Sequence, residues 1–551
     1  MRRCTVSRYE AQKRDGLARI GVYEEGETIV SLPAALDTDG IFPALRERAA
    51  SNVPLSADEE FVRDYFSPGE GQPVAVHPLA EPAAESGDCA MVANWHTALR
   101  NPRNYAGWLA DLKESVPPDT AWYAPASALP STACLLVYSG FDLFDYRAVD
   151  LASAQKKFCL AEGEFPASLM ETGVCGCEGC REGDLVRHNR LALDREIALV
   201  RHYVEAGRLR ELMESRCRAD AAQVGILRFL DRNYAFMERS LPVARAVPMR
   251  ANTAESQNRA EIRRFADRVI ERFIPTRTDV AVLLPCSARK PYSLSRSHKL
   301  FMNTVDRRAH ELIVTSPLGL VPRELERIYP AGHYDVPVTG YWDREECAFI
   351  ADILARYFAA HPYRRVIAHL EGGALTVAQM AAEACGIDLE VTCQGHPTAP
   401  GSLRALNAAL EGERRVQTDT VRGTVSWQFG TEINSKGLQI RGRSMQMAVL
   451  RGKQQVFSID AGTGLFRPTF EGWDLIPEGY RVRIDAFIPQ GDVLAPGITD
   501  CDPRIREGDE VLVEGPLAIA TGKALMGADE MLLSKRGVAV RVRKTKKKIS
   551  G

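Results

Sequence analysis

Hydrophobic and polar positions change rhythm several times along the 551 residues. Near the N-terminus, YEAQKRDGLARIG followed by YEEGETIVSLPAAL alternates as a hairpin does, and Pro33 ends the pattern. Ala133 to Gly140, ACLLVYSG, is a continuous apolar run of the length of a buried strand. Residues 191 to 213 switch to helical spacing, with Leu193, Ile197, Val200, Val204 and Leu212 on related faces, and residues 223 to 237 continue in helix. The stretch SLPVARAVPMRANTAESQNRA breaks both periods and places a boundary near residue 240. From about 245 to 410, short apolar runs at 280–284, 312–315, 365–369 and 389–393 alternate with helical stretches such as 261–273 and 347–358. That alternation predicts a parallel sheet flanked by helices. Residues 415–478 read as a small α+β spacer with apolar stretches at 445–450 and 455–459 and a Gly-rich hinge at 461–464, and no chemistry attaches to it. Residues 479–551 read as short strands at 480–488, 510–514, 517–522 and 538–542, separated by tight turns, which predicts a small β-barrel.

A chain of this length exceeds one hydrophobic core, and the rhythm divides it into four domains: 1–240, 241–412, 413–478 and 479–551. The net charge of −2 gives no global field toward nucleic acid, so any RNA-binding surface must be a local patch. No apolar run approaches the ~18 residues of a membrane span. The start MRRCTVSRYE lacks the apolar core of a signal peptide, and a cytoplasmic protein away from membranes is expected. In that compartment the 13 cysteines point to metal binding and catalysis rather than to disulfides.

Reactive side chains concentrate in VAVLLPCSARKPYSLSRSHKL, residues 280–300. An apolar strand ends at Pro285, and the loop after it carries Cys286, Lys290 and Tyr292. Ser293 and Ser295 can cap a helix whose first turns hold His298. A thiol beside a cation and a helix N-terminus favours the thiolate, which is the nucleophilic form. In an open α/β sheet the loops after the strands meet at one edge. That edge would gather Cys286, Lys290, His298, Ser316, Glu371 and Gly372, with Tyr292 and Ser295 beside them and a Pro- and Gly-rich loop holding Tyr329, His333, Asp335 and Tyr341 over them. His369 reads as a satisfied buried histidine.

Two further constellations stand out. Cys175, Cys177 and Cys180, with Gly176 and Gly179 allowing tight turns, and His188 can close a tetrahedron around a structural zinc; His202 is the second candidate for the histidine. Eight basic residues and no acidic one lie between Lys535 and Lys548. They form either a solvated tail or, on an RNA-binding barrel, contacts to phosphates through residues such as Lys535, Arg536, Arg541 and Arg543.

The string Pro285-Cys286, Lys290-Pro291-Tyr292, Ser295, His298 resembles the signature of the archaeosine synthases, archaeal relatives of tRNA-guanine transglycosylase. The N-terminal segment, the FDLFD string ending at Asp145, the zinc cluster with its His188-Asn189 pair, and the segments GDVLAPGITDCDPRIREGDEVLV and SKRGVAVRVR, similar to a PUA domain, extend the likeness. The resemblance implies a degenerate TIM-barrel-like domain, a central catalytic α/β domain, a spacer and a PUA barrel. It implies action on tRNA carrying 7-cyano-7-deazaguanine in the D-arm, with free lysine as the amine donor, or glutamine or ammonia in its place. A radical-SAM lyase partner would complete archaeosine, and a homodimer is a further possibility. Cys286 would attack the nitrile, His298 or Asp335 would move protons, and Lys290 would stabilise the thiolate or hold an anionic group. Asp145 falls on the transglycosylase nucleophile's position. Yet only 174 residues precede Cys175, fewer than the ~250 of a whole barrel, and no Asp-containing base-recognition loop is found early in the chain. Asp145 is therefore expected to be structural. The rival readings are an active transglycosylase using Asp145 and a non-catalytic tRNA-binding scaffold.

Overall fold

The computed structural model describes residues 7–37, 74–76, 89–92, 101–337, 341–442 and 446–548. The early stretch in which a base-recognition loop would fall lies largely outside them. Contacts divide the chain into two units. The first is Met1–Pro242 with Gly491–Glu507 and Ala524–Arg541; the second is Val243–Gln490 with Gly508–Lys523 and Val542–Gly551.

The first unit opens, as its alternation predicts, with antiparallel strands Ser7–Asp15, Ala18–Glu25 and Thr28–Leu32. A parallel sheet follows, in the order Ala34–Leu36, Leu143–Asp145, Ala121–Tyr123, Cys89–Val92, Val74–Val76. Among the described residues this five-stranded sheet is what stands for the expected barrel. The run at 133–140 is not a strand. It belongs to a helix, Pro130–Tyr138, buried on every side except at Thr132. A segment buried all round shows no period, so its apolar run cannot separate strand from helix; Pro130 at the first helical position was the available signal. The expected long helix at 191–213 is two, Leu185–Glu205 and Leu209–Arg216, with Gly207 at φ +66° between them.

In the second unit the sheet order is Gly319–Pro322, His310–Thr315, Val280–Pro285, Arg365–Ala368, Leu389–Val391. All pairs are parallel except the edge strand Gly319–Pro322, which returns antiparallel to His310–Thr315. This strand is not among those expected from the sequence. Gly319, at φ +75°, turns the chain back within three residues, and the two apolar residues between it and Pro322, Leu320 and Val321, are too few to show alternation. The central strand is apolar throughout because both faces are covered. Val280, Val282 and Leu284 pack with Phe301, Val305 and Leu406 on one face, while Ala281 and Leu283 join Ile262, Phe265 and Val377 on the other. Burying each such valine or leucine stabilises the fold by about 1.5–3 kcal/mol.

The spacer region is helix Thr420–Phe429 followed by a four-stranded sheet, Leu438–Arg441, Ala448–Arg451, Gln454–Ile459 and Phe466–Pro468. Of the C-terminal strands, Arg481–Ile484 runs parallel to Glu510–Glu514, which pairs antiparallel with Ala518–Ala524. The basic segment is no loose tail: Val538–Lys547 is a strand. Among the described residues no helix is long and apolar enough to cross a membrane.

Candidate active site

The chain leaves the central strand Val280–Pro285 to build His310–Thr315 on one side and later Arg365–Ala368 on the other. Loops leaving the carboxyl ends of these strands therefore diverge, which opens a crevice at the topological switch point. Cys286, the first residue past the central strand, stands exposed there. Ser287 tightens the loop by donating to the Arg289 carbonyl at 3.0 Å. The Lys290 ammonium lies 3.8 Å from the centroid of the Tyr334 ring. Burial lowers the pKa of Lys290 below the ordinary lysine value, opposed by the nearby Cys286 and Asp335, so thiol, ammonium and carboxylate form one electrostatic group. Asp335 follows Tyr334 on a short strand paired with Met249–Arg250 and is itself exposed.

Beneath this group the polar side chains bind one another. The Tyr292 and Tyr334 hydroxyls are 2.8 Å apart, and Tyr334 is 2.6 Å from Thr315 Oγ1. Tyr292 is fully buried, so it props the loop from below rather than lining its surface. His298, expected to move protons, is also fully buried. Its Nδ1 accepts from the Arg323 guanidinium at 2.9 Å, and its ring lies between Tyr292 and Phe301. Burial and the Arg323 charge push its pKa down to about 3, which keeps the ring neutral. Arg323 also holds Glu311 at 2.6 Å and Glu326 at 2.8 Å, and Glu326 accepts from the Ser293 backbone at 2.9 Å. His298 and Arg323 thus brace the turn after Cys286 from behind. Arg323 follows the strand that the sequence reading missed, so it was missed as well.

The other expected site residues divide in the same way. Ser295 is the N-cap of helix Arg296–Val305, its Oγ accepting from the His298 amide at 3.2 Å, and Ser316 donates to Glu346. Both have structural partners. Glu371 and Gly372 are exposed at the start of helix Gly372–Cys385, at the neighbouring strand end. Glu371 lies 3.9 Å from His396 Nε2, a histidine in the CQGHPT loop that the sequence reading did not single out. Gly373 has Trp342 against it, 3.3 Å from where a Cβ would stand. Tyr341 is exposed. His369 is buried with both nitrogens bonded, to Thr392 at 3.0 Å and to the Pro397 carbonyl at 2.8 Å.

In the first unit the donor atoms of Cys175, Cys177, Cys180 and His188 lie within 4.8 Å of one another and could hold a metal ion. His188 Nε2 is 3.1 Å from the Cys159 carbonyl, which fixes the proton there and leaves Nδ1 free to ligate, 3.3 Å from Cys177 Sγ and 3.2 Å from Cys180 Sγ. Phe158 stacks on the imidazole at 3.8 Å between centroids, and Asn189 ties the corner to the Cys159 amide at 2.8 Å. Gly179 has no room for a side chain, since a Cβ would come within 2.4 Å of the His188 amide. His202 is exposed on helix Leu185–Glu205 and is not among the four.

Two domain families match the chain: a domain of unknown function, DUF5591, over residues 262–410, which includes the crevice sheet, and a PUA domain over residues 482–545. The archaeosine synthase of Haloferax volcanii is 36% identical over 97% of this chain and 98% of its own length. The archaeosine synthase subunit alpha of Methanosarcina acetivorans is 37% identical over 85% of this chain and 81% of its own. The chain belongs to the archaeosine synthase family. A tRNA-guanine(15) transglycosylase from Methanobrevibacter smithii is 26% identical over 76% of this chain and 66% of its own length.

In this archaeosine synthase homologue Asp145 is 2% exposed and saturated. It accepts from the Tyr123 hydroxyl at 2.8 Å, the Ala126 amide at 2.9 Å, and the Arg147 amide and guanidinium at 3.1 and 2.8 Å. Burial pushes its carboxyl up while these donors pull it back. A carboxylate so engaged has no lone pair aimed at a substrate. The four basic residues expected to meet RNA also differ. Lys535 and Arg541 are exposed, and Arg536 is half-buried. Arg543 is exposed too, but it is gripped by the buried Glu510 and lies 3.3 Å from Thr521 Oγ1. Its charge is already neutralised, so it is better placed to hold its strand than to meet phosphate.

Proposed function

We propose that the protein acts in archaeosine biosynthesis on tRNA, adding free lysine to the nitrile of 7-cyano-7-deazaguanine in the D-arm. The observation that carries this reading is the exposed Cys286 at the switch-point crevice, grouped with Lys290 and Asp335. A nitrile carbon accepts a thiolate more readily than a protonated amine. The Cys286 sulfur adds to that carbon, the nitrile nitrogen takes a proton, and a thioimidate forms. The lysine amine then adds to the same carbon and loses a proton, the C–S bond breaks with its electron pair returning to sulfur, and an amidine remains. Charged Lys290 stabilises the thiolate that enters and leaves. Asp335 is the exposed group of the cluster suited to carry protons. His298 and Arg323 fix the loop and touch no reacting atom. The amidine would pass to a radical-SAM lyase partner; a homodimer is compatible with this scheme.

Residues 1–240 would serve as the transglycosylase-derived platform, with zinc held by Cys175, Cys177, Cys180 and His188. Four protein ligands leave no open coordination position, so the metal supplies structure alone. Residues 241–412 would hold the reaction, 413–478 the spacer and 479–551 the PUA contacts to tRNA. The test is nucleoside mass spectrometry on tRNA bearing the nitrile base, incubated with the protein and free lysine. A gain of one lysine is expected. Conversion only with glutamine or ammonia would replace the donor, and no change with any donor would favour a tRNA-binding scaffold.

A further inference from the structure

The first unit encloses a cavity of about 410 Å³, remote in sequence from Cys286 and not used by the reaction above. It lies among the hairpin turn after Asp15, helix Pro102–Ser115 and the Val116–Pro118 segment after it, helix Tyr234–Arg239 and the short helix Ala528–Leu533. The apolar part of its lining is made by Val116, Pro117, Pro118, Trp122, Phe236 and Leu533.

Polar groups among its lining residues offer hydrogens. Lys113 is enclosed, its ammonium 4.1 Å from the centroid of the Trp122 ring and donating to the Gly140 carbonyl at 2.7 Å. Its other N–H positions have no partner among the described residues that the geometry identifies. Arg19, 8% exposed, spends its terminal nitrogens on Asp142 and on the Pro118 and Thr120 carbonyls, while its Nε is buried with no hydrogen-bond partner. An orphaned buried donor is costly, and a ligand acceptor would remove that cost.

The rim is charged and leans acidic, since Glu507 and Asp529 line it besides three arginine–glutamate pairs. Arg14 pairs with Glu530, Arg239 with Glu114, and Arg506 with Glu238. A free phosphate or a polyanion gains little from guanidiniums already paired with carboxylates. The occupant that suits an apolar patch, donors within and a mouth that does not favour anions is an uncharged planar heterocycle with acceptors on one edge. The volume is in the range of small-molecule sites, enough for a base and its sugar.

We propose that this cavity receives one unstacked nucleobase, its ring between the proline and aromatic walls and an edge carrying two acceptors, such as guanine O6 and N7, turned to Lys113 and Arg19. The base comes either from the tRNA that the proposed function supplies or from a free nucleoside. The proposal rests on that function only for the first of these sources.

The experiment uses the full-length protein in two arms. In the first, saturation-transfer NMR follows guanosine, guanosine monophosphate and adenosine with the wild-type chain and with Leu533→Trp, which fills the mouth from an exposed position. Saturable binding of guanosine is expected, little changed by the added phosphate, weaker for adenosine and lost in Leu533→Trp. In the second, tRNA affinity is measured for the same pair and for Lys113→Met, and ultraviolet cross-links are mapped by mass spectrometry. A loss of about tenfold in affinity, the size of one base–aromatic stack, with a cross-link to the peptide holding Phe236 or Trp122, assigns the site to tRNA. Nucleoside binding with unchanged tRNA affinity assigns it to the free base. No saturable nucleoside binding and no change with tRNA overturns the proposal. Lysine transfer to the nitrile base is scored separately, so a failure of the Cys286 chemistry remains distinguishable from a failure of this site.

Discussion

The two parallel sheets of this protein each end a strand in a residue of catalytic type, and they treat it in opposite ways. Strand Leu143–Asp145 ends in a carboxylate closed in by four hydrogen-bond donors. Strand Val280–Pro285 gives way to Cys286, exposed, with Lys290 and Asp335 close enough to act on one another. Reactivity follows from which polar groups are left open, and the position of a residue after a strand does not decide it. The largest expected contrast is therefore between two substitutions. Cys286→Ala should lower lysine transfer by at least about 10³-fold with an unchanged melting temperature, as removal of a nucleophile does. Asp145→Ala should leave transfer per folded molecule intact and cost about 2–4 kcal/mol of stability, because Tyr123 and two amides lose their partner. Transfer assays beside thermal melts separate the two. Exchange of labelled 7-cyano-7-deazaguanine into unmodified tRNA, lost in a well-folded Asp145→Ala, would instead restore the transglycosylase reading.

The metal corner sharpens the same comparison from the closed side. If the cluster holds a metal as proposed, Cys177→Ser, or treatment with a chelator, should release it and lower the melting temperature of the first unit, since metal binding to a closed set of ligands is folding free energy. Metal analysis together with limited proteolysis reads this directly. Residual transfer in the fraction that stays folded would agree with a metal that takes no part in the reaction.

Much of the open site was legible because its chemistry is local in sequence. Cys286 and Lys290 lie within one turn after an apolar run bounded by proline, and three clustered cysteines followed by a histidine converge whatever surrounds them. What the sequence could not settle was burial. Ser295 and His298 have the residue types of a catalytic site, yet one caps a helix and the other accepts a hydrogen bond from Arg323 in the interior. Arg323 stands 25 residues from His298, beyond a hairpin too short to show a pattern. The helix Pro130–Tyr138 was hidden for a related reason: full burial erases the periodicity that distinguishes helix from strand. His396 reached the crevice rim from a separate strand end, and nothing local marked it.

On the open side, the role proposed for Lys290 would make the reaction sensitive to pH in a defined direction. Burial lowers its pKa below the usual lysine range. If its charge supports the thiolate, transfer falls as pH rises through that lowered value, ahead of where an ordinary lysine would titrate. Folding has the opposite sign: the unfolded chain binds the proton more tightly, so this residue's contribution to stability grows as pH rises through the same range. Lys290→Arg keeps the charge at every accessible pH. It should remove the alkaline fall in the transfer rate while changing the rate near neutrality by less than about tenfold. An alkaline limb unchanged in Lys290→Arg would assign that limb to another group.

The smallest expected effect lies in the C-terminal strand, where open and closed charges alternate within three residues. Both Arg541 and Arg543 are exposed, but Arg543 is paired with the buried Glu510. If Arg541 meets a phosphate, Arg541→Ala should weaken tRNA binding alike across sequences and reduce the slope of log affinity against log salt by about one. Arg543→Ala should leave that slope nearly unchanged and lower the melting temperature, because Glu510, whose carboxyl burial already pushes up, loses the cation that opposes burial. Equal loss of salt slope in both variants would mean that tRNA draws Arg543 away from Glu510. The closed pair would then be a state of the free protein that binding opens, and the division between open and closed charges would shift with the ligand.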